Sequence, residues 1–154
     1  MAQVTKPLTI VYWNANGIIR DKNILPEFLE EYNVDILLIN ETHLTNNKRF
    51  TLKNYTIYRS DGPRAPHGGT AIAIKSTIHH KHVPTPAFIN IEATFIEIPV
   101  NNSNLLIGSI YCSPNLQLLN RDLDLLVSMS RTFIHAGDFN AKNMSWNSSL
   151  TTAR

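Results

Sequence analysis

Asp138 and Asn140 stand one residue apart in Gly137-Asp138-Phe139-Asn140-Ala141, and their types and spacing suit them to chemistry. In an extended chain, side chains two residues apart point the same way. A carboxylate able to orient and deprotonate a water would then stand beside an amide able to donate to a phosphoryl oxygen. Gly-Asp and Asn are equally the residues of a tight turn. Glu41, in Asn40-Glu41-Thr42-His43, offers a second carboxylate. Mg²⁺ typically takes one or two carboxylates together with water and substrate phosphate, whereas a lone loop glutamate is ordinarily just solvated. Asn14 adds an amide. Tyr111, ahead of Cys112-Ser113-Pro114-Asn115, offers either a hydroxyl for phosphate or a half-buried ring with a wet tip.

Each of these residues follows an apolar run. Leu8–Trp13 leads into Asn14, Asp35–Ile39 into Asn40 and Glu41, and Thr132–Ala136 into Asp138. Three buried strands are therefore expected to carry acids or amides at their C-terminal ends, the edge where α/β sheets bind ligands. A loop over 14–20 and a helix over 22–32 separate the first two strands, with Ile24, Leu25, Phe28, Leu29 and Tyr32 at helical spacing. Residues 41–54 and 61–69 read as loops, and 55–59, 70–75 and 89–100 as strands. A turn at 101–104 leads into a strand over 105–111, and Leu116, Leu119, Leu123, Leu126 and Val127 mark a helix over 116–130. Hairpins mixed with helical crossovers predict a two-layer β-core with flanking helices, not an all-parallel sheet.

The 154 residues suit one domain over 1–154. With 14 basic and 12 acidic residues, charge neither demands nor forbids a nucleic-acid partner. The single Cys112 excludes an intrachain disulfide. No run has the length of a secretory or membrane-spanning segment, so an intracellular protein is expected. His79, His80 and His82 lack zinc-finger spacing and read as an exposed strand or loop; His43, His67 and His135 read as ordinary histidines. Lys48, Arg49 and Lys53 suit either a nucleic-acid backbone or a solvated face.

Taken in order, five segments resemble the exonuclease–endonuclease–phosphatase superfamily. They are Tyr12-Trp13-Asn14-Ala15-Asn16-Gly17, Leu38-Ile39-Asn40-Glu41-Thr42-His43-Leu44, Gly68-Gly69-Thr70-Ala71-Ile72-Ala73, Ile110-Tyr111-Cys112-Ser113-Pro114 and Gly137-Asp138-Phe139-Asn140-Ala141-Lys142. Together with Trp146, the last is most similar to the apurinic-endonuclease-like domain of non-LTR retrotransposons. The resemblance implies a DNase I-like α/β (α+β) fold, a four-layer arrangement of two sheets between helices. It implies hydrolysis of a DNA phosphodiester that leaves a 3′-hydroxyl to prime reverse transcription, a reverse transcriptase further along the protein, and a nuclear site of action. Glu41 would be the principal ligand of Mg²⁺ (or Mn²⁺), with Asn16 beside it. Asn14 would bind phosphate and order the acid. Tyr111 would touch the scissile phosphate, Asp138 would align or deprotonate water, and Asn140 would stabilise the charged transition state.

Three departures accompany the resemblance. Asn16 stands where many relatives carry Asp, and Asn143 and Asn147 replace a usual His and Gly. The family's later Asp or Asn and its Ser-Asp-His motif do not occur before Arg154, so a partial domain, incomplete at the C-terminus and impaired in hydrolysis, is expected. Inositol-phosphate and sphingolipid hydrolases of the superfamily share the Asn, Glu and Asp-x-Asn residues, and a non-catalytic retroelement remnant is the remaining alternative.

Overall fold

In the computed structural model, residues 7–63, 67–149 and 151 are described; Arg64–Pro66 of the predicted loop and Thr152–Arg154 lie outside them. Apolar, β-branched runs form β1 (Ile10–Asn14), β2 (Ile36–Asn40), β3 (Tyr55–Ser60), β4 (Thr70–Lys75), β5 (Lys81–Val83), β6 (Ile91–Val100), β7 (Ser103–Cys112) and β8 (Phe133–Asp138). The helices are α1 (Leu25–Glu31) and α2 (Asn120–Ser128), with 3₁₀ turns at Ile18–Asp21 and Met144–Trp146. The strands make two four-stranded sheets, ordered β1-β2-β4-β3 and β5-β6-β7-β8.

Each sheet holds one parallel pair, β1–β2 or β7–β8, beside antiparallel neighbours. A parallel pair needs a crossover rather than a tight turn, and α1 and α2 supply one each. The β6–β7 hairpin closes over Asn101 and Asn102, with Asn101 at φ +53°, where asparagine is among the better tolerated side chains.

Period-two alternation explains why β2 is apolar throughout. Ile36 and Leu38 face inward, where Ile72, Ile74, Ile96, Ile98 and Ile107 complete the core between the sheets. Leu37 and Ile39 face outward to Leu25 and Leu29 of α1. On the far side, Phe95, Leu106 and Ile110 pack with Leu126 of α2. The result is four layers, helix on sheet on sheet on helix, as the resemblance implied.

Several expectations change. The run before Asp138 is not a buried strand: β8 ends its sheet and leaves Phe133 and Ile134 exposed. The first helix is shorter than 22–32. Only Leu25 and Leu29 are buried, while Ile24 and Phe28 line an open groove of about 550 Å³ beside edge strand β1, and Tyr32 packs on Phe28. α2 begins at Asn120, because residues 113–116 form a turn closed by Leu116 N–H on Ser113 O. Val127 is exposed rather than on the buried stripe. The histidine cluster forms the short edge strand β5 and its approach, with His82 stacked on Tyr58 at 4.9 Å.

Candidate active site

The parallel pairs of both sheets end at the same end of the sandwich, and the predicted site residues gather there from two directions. From the first sheet, Asn14 closes β1 opposite Asn40 of β2, and Glu41 follows directly. The Asn14 amide Nδ2 donates to Glu41 Oε1 at 2.9 Å, and Asn14 Oδ1 accepts the Asn16 N–H at 3.2 Å. His43 Nε2 lies 3.5 Å from Glu41 Oε2. The Asn16 side chain is exposed on the rim.

Glu41 and His43 have φ of +51° and +52°, a left-handed backbone that a side chain disfavours by about 1–3 kcal/mol. Neighbouring segments hold them there. Gly17 N–H donates to Glu41 O at 2.8 Å and Ile18 N–H to Thr42 O at 3.1 Å. From the other side, Thr42 N–H and His43 N–H donate to the carbonyls of Gly69 and Gly68.

From the second sheet, Tyr111 of β7 and Asp138 of β8 are register partners across the parallel pair. Tyr111 is 5% exposed, so it is more enclosed than a ring with a wet tip. Asp138 ends the strand, and Asn140 does not continue it. Asn140 has φ +49°, its N–H donates to Asp138 Oδ1 at 2.8 Å, and its Nδ2 donates to Cys112 O at 2.9 Å. The turn reading of Asp-x-Asn is the one realised: the chain does not stay extended through Asn140, and the Asp138–Asn140 turn sets the pair at the strand end.

A polar seam ties the two sheets together beneath the site. Asn40 Nδ2 donates to Ile110 O at 2.7 Å, Ser109 Oγ to Ile39 O at 2.9 Å, and the Thr70 and Thr94 hydroxyls meet at 2.7 Å. All four side chains are buried, where an unpaired polar group is costly and a paired one fixes geometry. These anchors went unread in the sequence because their partners lie as far as 70 residues away.

Tyr12 was also missed, although the strand period places it on the same side as Asn14. Burial first, then the charges of Asp138 and Glu41 and the Tyr111 hydroxyl, push its hydroxyl from 10.0 up to about 12. One residue therefore feels the acids of both sheets, and it stays a protonated donor at neutral pH. His43, read as an ordinary histidine, proves to be a neighbour of the Glu41 carboxylate.

No group of three or more His, Cys, Asp or Glu side chains able to hold a metal occurs among the described residues. A zinc-type cage is therefore not what these residues build. A partly exposed carboxylate held by the Asn14 amide does fit Mg²⁺, which takes one or two carboxylates and keeps much of its water. No helix among the described residues is long and apolar enough to cross a membrane.

Comparison with known proteins agrees with this fold. The RNA-directed DNA polymerase from mobile element jockey of Drosophila funebris is 26% identical over 98% of this chain and 17% of its own length. The probable RNA-directed DNA polymerase from transposon X-element of Drosophila melanogaster is 29% identical over 96% of this chain and 17% of its own. The chain thus spans about 17% of the curated relatives it matches. The endonuclease domain of TRAS1, a telomere-specific non-LTR retrotransposon, superposes with a TM-score of 0.75 at 18% identity, covering 96% of this chain and 65% of that one. The AP endonuclease LMAP from Leishmania major gives 0.67 at 15% identity, covering 92% and 60%. The pattern of the Endonuclease/Exonuclease/phosphatase family matches residues 11–154, and the chain belongs to that family.

Proposed function

We propose that this family member hydrolyses DNA phosphodiester bonds as the endonuclease of a non-LTR retrotransposon, nicking target DNA to leave a 3′-hydroxyl. The observation that carries the reading is the meeting of the two parallel pairs at their ends: Asn14 holds Glu41 in one sheet, Asp138 pairs with Tyr111 in the other, and Asn40 Nδ2 donates to Ile110 O between them. The retrotransposon setting rests on the jockey and X-element relatives, whose names describe RNA-directed DNA polymerases. A reverse transcriptase elsewhere in the same protein and action on nuclear DNA follow from that setting.

Glu41, with Asn16 beside it, would hold Mg²⁺ or Mn²⁺, and the bound ion would supply positive charge to a phosphate. The chain's own groups divide the remaining work. Asn14 Nδ2 fixes the Glu41 carboxylate from one side and leaves its second N–H for a phosphate oxygen. Asp138 commits Oδ1 to the Asn140 N–H and keeps Oδ2 to take the proton of an attacking water. Asn140 spends one amide N–H on Cys112 O, which aims the other toward charge developing on the phosphoryl group. The Tyr111 hydroxyl contacts the scissile phosphate, and its burial keeps competing water out.

The test is nicking of supercoiled plasmid with Mg²⁺, using this chain and a protein continuing past residue 154, each with and without Glu41→Gln. Nicking that depends on Glu41 in either length supports the reading. Nicking that survives Glu41→Gln in both sinks it.

A further inference from the structure

We propose that Glu92 is a positioning residue for Glu41: its buried carboxylate pins the Gly68–Gly69 turn, and that turn pins the loop carrying Glu41. The proposal rests on the reading of Glu41 as the metal carboxylate. Glu92 interrupts the otherwise apolar start of β6, is 6% exposed, and lies opposite Tyr111 in the antiparallel ladder. Burying a carboxylate is costly unless hydrogen bonds compensate it, so its place in an apolar strand calls for a partner. Glu92 Oε2 accepts the Gly69 N–H at 2.7 Å.

The surrounding glycines leave room for this carboxylate. A Cβ at Gly62 would collide with Glu92 Oε2, and one at Gly68 would stand 2.7 Å from it. Gly62, Gly68 and Gly69 also take φ of +73°, +72° and +84°, where a side chain would add strain. The glycines at these positions therefore fit both the backbone path and the carboxylate it wraps.

From Gly69 the linkage runs directly to the site. Gly69 O accepts the Thr42 N–H at 3.3 Å and Gly68 O accepts the His43 N–H at 3.1 Å. Thr42 and His43 are the two residues after Glu41, whose left-handed backbone depends on being held from outside. Gly17 and Ile18 hold one side of this loop; the Glu92-anchored turn holds the other. Without the Glu92 carboxylate, the Gly68–Gly69 turn loses its anchor, and the Glu41 side chain loses its aim.

The test compares Glu92→Ala, Glu92→Gln and a remote core variant, Ile98→Ala, using amide hydrogen exchange and Mn²⁺ titration on the chain. In Glu92→Ala, exchange at Gly69, Thr42 and His43 should rise about tenfold or more while Leu38 and Ile72 stay protected. Its Mn²⁺ affinity should fall about 10–100-fold, the usual effect of losing a group that orients a metal ligand. Glu92→Gln retains an acceptor for Gly69 N–H and should restore most of both. Ile98→Ala should lower the melting temperature without selective exchange at 42, 43 and 69. Unchanged exchange in Glu92→Ala overturns the proposal, as does a uniform rise matching Ile98→Ala, or selective exchange with undiminished Mn²⁺ affinity. A Glu41→Gln chain that binds Mn²⁺ like wild type overturns the proposed function instead, because amide exchange reads the loop directly.

Discussion

The two parallel pairs, β1–β2 and β7–β8, deliver their acids to one site by different means. In the first sheet, Glu41 lies one residue beyond its strand, in a left-handed backbone held by Gly17, Ile18, Gly68 and Gly69. In the second, Asp138 is the last strand residue, placed by its register with Tyr111 and closed by a turn two residues long. One acid depends on distant segments, the other on its own ladder and turn. Damage far from Glu41 should therefore reach it, whereas Asp138 should respond mainly to changes in β7, β8 and Asn140.

The sharpest way to separate the halves is chemical. Asp138→Asn keeps the size and the turn but removes the base, so nicking should fall about 10²–10⁴-fold. Mn²⁺ binding by the same variant should stay near wild type, whereas Glu41→Gln should lose both activities. Calorimetry beside plasmid nicking checks this. Equal loss of Mn²⁺ binding in both variants would mean that the halves share the ion and do not divide the work.

A second contrast uses one glycine from each half. A Cβ at Gly137 would collide with Ile110 O and stand 2.6 Å from its carbonyl carbon, backbone atoms of the adjacent strand that cannot step aside. Gly137→Ala should cost about 3 kcal/mol or more, the upper range for overpacking. At Gly69 the new Cβ would meet the Thr42 Oγ1 at 2.5 Å, while the nearest backbone atoms, Ser60 O and Asp61 O, stand farther off at 3.3 and 3.4 Å, with φ +84° adding strain. Gly69→Ala should cost about 1–2 kcal/mol. Urea denaturation ranks the two, and the reverse order would show that the first half is the more rigid.

Smaller effects follow at the amides. Asn140→Ala removes the bond to Cys112 O, and should cost about 1–2 kcal/mol. Asn14→Ala should cost about 1 kcal/mol or less, because the Glu41 side chain is 22% exposed and keeps His43 beside it. Denaturation midpoints of the two variants test the ranking.

What could be read in advance follows the same division. Asn14, Glu41 and Asp138 were legible as strand-end residues because a polar residue after an apolar run marks where a strand stops. The layers were legible because hairpins mixed with helical crossovers call for a two-layer β-core flanked by helices. Glu92 and Asp122 were not, since their roles depend on where remote backbone arrives. Asp122, in α2, accepts the N–H groups of Ile89 and Asn90 at 2.9 and 2.8 Å, and nothing local to 122 announces that loop. The exposed flank of β8 was hidden for a related reason: Phe133 and Ile134 read as core, and only the sheet order makes them edge residues.

A comparably small effect lies on that edge. His135 stacks on Phe133 at 4.5 Å and meets Phe95 edge-on at 5.6 Å, and among the described residues its buried Nε2 has no hydrogen-bond partner. Burial lowers its pKa from 6.5 to about 4, so folding favours the neutral ring. The folded value is the depressed one, so the stabilisation is complete above pH 6.5 and is lost as pH falls toward 4. The ring is only partly enclosed, and solvent screening reduces the contribution to about 1 kcal/mol. His135→Phe should flatten this part of the pH–stability curve while leaving the curve above pH 7 nearly unmoved. Because β8 carries Asp138 by ladder register, the same acid range should loosen the second half of the site before the first. Amide exchange at Asp138 and Asn140, compared with Glu41 and Thr42 between pH 7 and 4.5, reads that order. Simultaneous loosening would place the two halves in one cooperative unit.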